Sequence, residues 1–150
     1  MSKLEKHEYE VDLQWKEGRI GILSSDKLDD RIEVATPPEF PGGIEGIWSP
    51  EHLYVASVSS CFMTSFTAVA EYSKLSFEEL TVPATGVMSN ESGKYEITEI
   101  ILRPTLTISD ESKKDKALRI LQKAEEICLI TRSIKTEVKL EPNIAIAAFN

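Results

Sequence analysis

The sequence predicts an α+β domain, and three patterns carry that prediction. Residues 7–15 alternate strictly, placing Tyr9, Val11, Leu13 and Trp15 on one face of a strand. His52 to Ala70 runs nineteen residues without Asp, Glu, Lys or Arg, the signature of a long helix enclosed by protein. A third stretch, closing at Cys128, repeats apolar residues every three and four positions, as an amphipathic helix does. With 150 residues, 41% hydrophobic and 28% charged, the chain can bury one core, so a single domain over residues 1–150 is expected.

In chain order, the strand at 7–15 leads through Gly18, Arg19, Ile20 and Gly21 to two further short strands, Ile22–Ser25 and Arg31–Ala35. Thr36 to Ser49 is rich in Pro and Gly and reads as an irregular loop, of a length more often functional than shorter loops are. Ser49-Pro50-Glu51 then signals a helix start: a hydroxyl cap, a proline in the first turn, and a carboxylate beside the positive helix end. Phe77–Met88 and Tyr95–Ile108 read as strands around a turn at 89–94, with a kink at Pro104. Ser109 and Asp110 open the second helix, whose inward stripe is Ala117, Ile120, Leu121, Ala124, Ile127 and Cys128. A short helix within 129–135, a strand at 136–140 and an apolar tail at 144–149 complete the chain.

The charge balance narrows the function. Lys+Arg 17 against Asp+Glu 25 gives a net charge of −8 with no basic cluster, the wrong sign for a nucleic-acid backbone. The start of the chain has no apolar run behind its lysines, so no secretory signal is expected and a cytoplasmic setting is. The uncharged helix approaches membrane-spanning length. Its six Ser and Thr residues argue instead for burial inside protein, and in a domain this small a second copy would have to help cover it. A homodimer with this helix near its centre, and no membrane partner, is therefore expected. The phosphate-binding and serine-hydrolase motifs GxxxxGK[ST], GxGxxG and GxSxG are absent. With only His7 and His52, and no Cys-x-x-Cys, no metal or other cofactor is expected.

What remains is Cys61 inside the uncharged helix, Cys128 at the end of the second helix, and Arg19 in a glycine-flanked turn. Two cysteines in a reducing compartment are either small core residues or a redox couple. Should the helices bring them together, Cys61 becomes a nucleophile and Cys128 a thiol able to close a disulfide on it. Taken alone, Arg19 is a surface or ion-paired residue and Glu51 a helix-start carboxylate. His52 reads as a capping or packing histidine, and Phe40, Trp48, Phe62 and Met63 as either core or the lining of an apolar pocket.

The residues in order match a family. Gly18-Arg19-Ile20-Gly21 through Ser24-Ser25-Asp26, Thr36-Pro37-Pro38-Glu39, Gly42-Gly43, and Ser49-Pro50-Glu51-His52-Leu53 leading to Ser60-Cys61-Phe62 resemble the OsmC/Ohr family of osmotically inducible and organic hydroperoxide resistance proteins. Cys61 falls ten residues after Glu51, and the second cysteine comes after a helix and before the last strands. This resemblance covers nearly the whole chain. It implies an intertwined α+β homodimer of antiparallel sheets around the long buried helix, with Cys61 as the peroxidatic cysteine, Cys128 as the resolving cysteine, Arg19 as the guanidinium holding the thiolate, and Glu51 as the carboxylate orienting Arg19. The implied activity is cofactor-free reduction of organic hydroperoxides at the expense of a dithiol, lipoyl dithiols being typical of the organic hydroperoxide branch. Leu129 stands where that branch has proline, which leaves the branch open. A binding module of the same fold without turnover, and a redox-sensing stress protein, are the competing readings.

Overall fold

The computed structural model describes residues 4–148. The chain falls into two compact units that divide between Leu53 and Tyr54. In the first, β1 (Asp12–Glu17), β2 (Ile20–Ser25) and β3 (Leu28–Ala35) form an antiparallel meander in the order β1-β2-β3. The strand expected at 7–15 forms only from Asp12, and its apolar residues are not covered within one chain: Leu13, Trp15 and Leu28 are exposed, Trp15 by 71%, as are Tyr9 and Val11 ahead of β1. Periodicity reports that a strand has an apolar face without reporting what covers it.

The loop after β3 is tied back on itself. Ile44 N–H donates to Thr36 O at 2.9 Å, and Ala35 N–H to Trp48 O at 2.8 Å. Gly43 is required here, since a Cβ at this position would collide with the Pro37 carbonyl. Ser49, fully buried, then caps α1 (Pro50–Tyr72): its Oγ accepts the His52 N–H at 3.0 Å.

The second unit is built on the rest of α1, which ends where Lys74 turns left-handed at φ 58 and Leu75 N–H reaches back to Ala70 O at 2.8 Å. Val58, Phe62, Phe66 and Ala70 form its buried stripe at a spacing of four. The expected cover on every side is not met within one chain: this stripe is buried and Tyr54, Val55 and Val69 pack partly beside it, while Ser60, Met63, Thr64 and Thr67 are exposed. By length and composition α1 could cross a membrane, yet its most apolar window is only 22% buried in the chain.

The two long strands expected from the sequence are each broken by a proline. β4 (Glu79–Thr81) and β5 (Ala84–Ser89) are separated at Pro83, β6 (Glu96–Leu102) and β7 (Thr105–Ile108) at Pro104, and β8 (Glu137–Leu140) and β9 (Asn143–Ile146) at Pro142. A proline cannot donate to a ladder, so each path passes from one three-stranded sheet, β5-β6-β8, to another, β4-β7-β9. At the seam Arg103 N–H donates to Pro83 O and Asn143 N–H to Pro104 O, both at 2.9 Å.

The sheets are not wholly antiparallel, contrary to the expectation. β8 runs parallel to β6 and β9 parallel to β7. The reason is the helical crossover between them, a 3-10 turn (Glu111–Lys113) followed by α2 (Lys114–Ile127) and α3 (Leu129–Ser133), which returns the chain to the starting end of the sheet. Asp110 opens it by accepting the Ser112 N–H at 3.0 Å. Ala117, Ile120, Leu121 and Ala124 of α2 join the α1 stripe and Ile100, Leu102, Leu106 and Ile108 in one core. The apolar tail forms β9; Phe149 lies outside the described residues.

Phe66 is fully buried and meets Phe77 edge to face at 5.2 Å between ring centroids. Phe66→Ala should lower unfolding stability by about 3–5 kcal/mol, read from the urea midpoint at an unchanged slope.

Candidate active site

Cys61 sits mid-helix on α1, next to the core residue Phe62, and is partly exposed; Cys128, 0% exposed, ends α2 and caps α3. Ala124 and Cys128 are one turn apart on the buried side of α2, so the packing that seats this stripe against α1 also carries the second sulfur to the first. Both cysteines are free thiols, close enough to bias each other's protonation.

They are biased in opposite directions. For Cys61, burial is the largest single influence and pushes its pKa up. The backbone N–H of Ile130, the Cys128 thiol, the Ser65 hydroxyl and the N–H of Leu129 together outweigh it, and hold the Cys61 pKa below the ordinary thiol value. Leu129 and Ile130 open α3, where N–H groups have no acceptor within the helix and are free to point at a sulfur. For Cys128, burial also dominates and raises the pKa; Thr131 works against it, but the neighbouring Cys61 adds to the rise.

Ser65 and Thr131 were not singled out from the sequence. Each is one helical turn beyond its cysteine, Ser65 four residues after Cys61 and Thr131 three after Cys128, so the spacing was there to be read once both helices were granted.

Arg19 and Glu51 belong to the first unit. Arg19 is exposed at the β1–β2 turn, and its side chain runs along the backbone of Gly42, with Cγ and Nε each 3.1 Å from where a Cβ would stand. Glu51 lies in the first turn of α1, and its Oε1 is buried with no hydrogen-bond partner among the described residues. The Arg19–Glu51 pair implied by the resemblance is therefore not formed within one chain, because the guanidinium follows the 36–49 loop instead. Arg19 also borders an apolar recess of about 250 Å³ that includes Leu13, Trp15, Val34, Thr36 and Pro50.

Of the other candidates, Phe62 is core and Met63 is exposed. Trp48 meets His52 edge-on at 6.3 Å beside a separate recess of about 240 Å³. The His52 ring is held by Ser49 Oγ at 2.7 Å from Nδ1, the capping role expected of it. Among the described residues no group of three His, Cys, Asp or Glu side chains is placed to hold a metal ion.

The opposed biases predict separate titrations. Alkylation of Cys61 by iodoacetamide should rise with pH around a midpoint below the ordinary thiol value of about 8.5, whereas Cys128 should react slowly and only at higher pH. Ser65→Ala should move the Cys61 midpoint upward; peptide mass mapping across a pH series reads both.

The fold and the site can now be set beside known proteins. The family model for OsmC-like protein matches residues 43–143. An uncharacterized Bacillus subtilis protein, YmaD, is 29% identical over 140 residues, covering 90% of this chain and 91% of its own. A Staphylococcus aureus protein described as organic hydroperoxide resistance protein-like is 23% identical over 127 residues, covering 85% and 88%. Among solved structures, an OsmC-like protein of unknown function from Vibrio cholerae superposes with a TM-score of 0.82 at 27% identity, over 91% of this chain and 99% of that one. An organic hydroperoxide resistance protein from Elizabethkingia anophelis shares the fold, with a TM-score of 0.73 at 22% identity over 95% of this chain and all of the other. The two cysteines lie inside the matched span, as does Glu51, and the chain belongs to the OsmC-like protein family.

Proposed function

We propose that the protein is a cysteine-based peroxidase that reduces organic hydroperoxides to alcohols with a dithiol as reductant. The observation that carries this reading is the pair of neighbouring thiols with opposite protonation biases, Cys61 toward thiolate and Cys128 toward thiol. The Cys61 thiolate attacks the terminal peroxide oxygen; the O–O bond breaks, the alkoxide leaves and takes a proton as the alcohol, and Cys61 becomes a sulfenic acid. Cys128 then attacks that sulfur, water leaves, and a disulfide closes. A dithiol, of which lipoyl dithiols are the expected kind, returns both thiols. A protonated resolving thiol beside an ionised attacking one prevents two adjacent negative sulfurs.

In this reading Arg19 is the guanidinium that steadies the Cys61 thiolate, a group that keeps its charge at any working pH. Glu51 is the carboxylate that orients Arg19, its buried unpartnered oxygen being in want of a donor. Relatives named for organic hydroperoxide resistance support the substrate class.

The working form is a homodimer. The exposed Leu13 and Trp15 on β1, Val11 just ahead of it, and the largely uncovered α1 are apolar surface of the kind a second copy buries. Sedimentation of the full chain should give the dimer mass, and Leu13→Asp should shift it toward monomer; a monomeric parent overturns this part.

Turnover is tested with cumene hydroperoxide and hydrogen peroxide in the presence of dithiothreitol. The parent should consume both repeatedly, the organic peroxide faster. Cys61→Ser should lose consumption entirely, whereas Cys128→Ser, treated with peroxide in the absence of dithiothreitol, should stall at the sulfenic acid or overoxidise. Full activity in Cys61→Ser, or survival of both thiols after peroxide, would sink the proposal.

A further inference from the structure

The regeneration half of the cycle poses a problem that the buried cysteine makes acute. Within one chain Cys61 is the partly exposed cysteine and Cys128 is 0% exposed, so a dithiol meets Cys61 first. Attack on Cys61 forces Cys128 to leave as a thiolate from a fully buried position. A thiol with a raised pKa is a poor leaving group in exchange chemistry, because the leaving sulfur must carry the charge.

One side chain stands ready for that charge. Thr131 Oγ1 is buried and has no hydrogen-bond partner among the described residues. That is unusual for a hydroxyl on a helix, which ordinarily donates to the carbonyl one turn back. Ser133 on the same helix does so, to Leu129 O at 2.8 Å. Thr131 follows Cys128 by three residues, the first turn of α3 being closed by Arg132 N–H donating to Cys128 O at 3.1 Å. Although it makes no hydrogen bond in the resting protein, this hydroxyl lowers the Cys128 pKa, so it favours the thiolate of that sulfur over the thiol. An orphaned buried hydroxyl is costly in the resting protein, and such a cost is repaid where a negative acceptor develops beside it.

We infer that Thr131 is the donor to the departing Cys128 thiolate, so that the disulfide is opened in one sense only, by attack of the reductant on Cys61. The inference rests on the disulfide chemistry proposed above. The step balances: the reductant thiolate bonds to the Cys61 sulfur, the Cys61–Cys128 bond breaks, and its electron pair goes to Cys128, which accepts the Thr131 hydroxyl hydrogen bond. The second thiol of the reductant then attacks the mixed disulfide on its own first sulfur, freeing Cys61, and the proton it releases is available to Cys128.

The test uses full-length protein oxidised to the disulfide with diamide, a thiol oxidant that needs no peroxide activity. Reduction by dithiothreitol should be about tenfold slower in Thr131→Val, the isosteric change that removes only the hydroxyl, and within about twofold of the parent in Thr131→Ser. With 2-mercaptoethanol, a monothiol, the trapped adduct should map to Cys61 with Cys128 free. A Thr131→Val rate equal to the parent's, a Thr131→Ser rate as slow as that of Val, or an adduct on Cys128 overturns the inference, as does failure of diamide to close the disulfide. Where diamide closes the disulfide and organic hydroperoxide does not, the peroxidase reading falls while the role of Thr131 is still decided by these rates.

Discussion

The arrangement depends on one core, in which the Val58–Phe62–Phe66–Ala70 stripe of α1 and the Ala117–Ile120–Leu121–Ala124 stripe of α2 are buried together with Ile100, Leu102, Leu106 and Ile108 of the sheets. Both stripes recur at three or four residues, so each fixes the rotation of its helix. Cys61 is adjacent to Phe62 and Cys128 is one turn past Ala124. The rotation that buries the apolar side chains therefore also orients the sulfurs. No separate device is needed to bring them together, and a core substitution that rolled α1 would cost the site as well as stability.

The helical crossover is held by the proline seam. Pro83, Pro104 and Pro142 break three neighbouring strand paths, and the backbone bonds across the breaks keep the two sheets in register through the bend. Each break leaves β7 and β9 to carry Leu106, Ile108 and Ile144 against the helices while β6 and β8 carry Ile100, Leu102 and Val138. A single unbroken sheet would follow its own twist. The bent pair instead presents apolar side chains to the helices from both sheets.

Much of this was legible. The hydroxyl-proline-glutamate start at residues 49–51, the α2 stripe apart from Ile127, which is exposed where the helix ends, the short α3 and the strand at 136–140 are local patterns, and local patterns survive folding. The proline breaks were half legible: Pro104 was read as a kink, but a proline says only that a ladder bond is missing, not that the chain changes sheet. Parallel pairing was not legible, since it follows from the direction in which a crossover returns. The site divides in the same way. Cysteine type and helix position marked Cys61 and Cys128, while Ser65, Thr131 and the N–H groups of Leu129 and Ile130 were invisible because serine, threonine and backbone are ordinary everywhere. Arg19 and Glu51 were carried by resemblance, and within one chain their side chains take other directions, Arg19 along Gly42.

Charge placement explains why so few polar groups suffice. Burial penalises both thiolates, so without donors neither sulfur would ionise near neutral pH. The donors are distributed unevenly: Cys61 has two backbone N–H groups, Ser65 and the Cys128 thiol, whereas Cys128 has Thr131 alone and a neighbour that repels its charge. Because a helix start supplies N–H groups that have no other acceptor, the chain turn at Cys128 both ends α2 and provides the charge stabilisation that its partner needs. The asymmetry between the sulfurs is thus a property of where α2 stops. Were α2 to continue unbroken through residues 128–130, those N–H groups would be spent on its own carbonyls, and Cys61 would keep the burial that disfavours its thiolate with only Cys128 and Ser65 to oppose it.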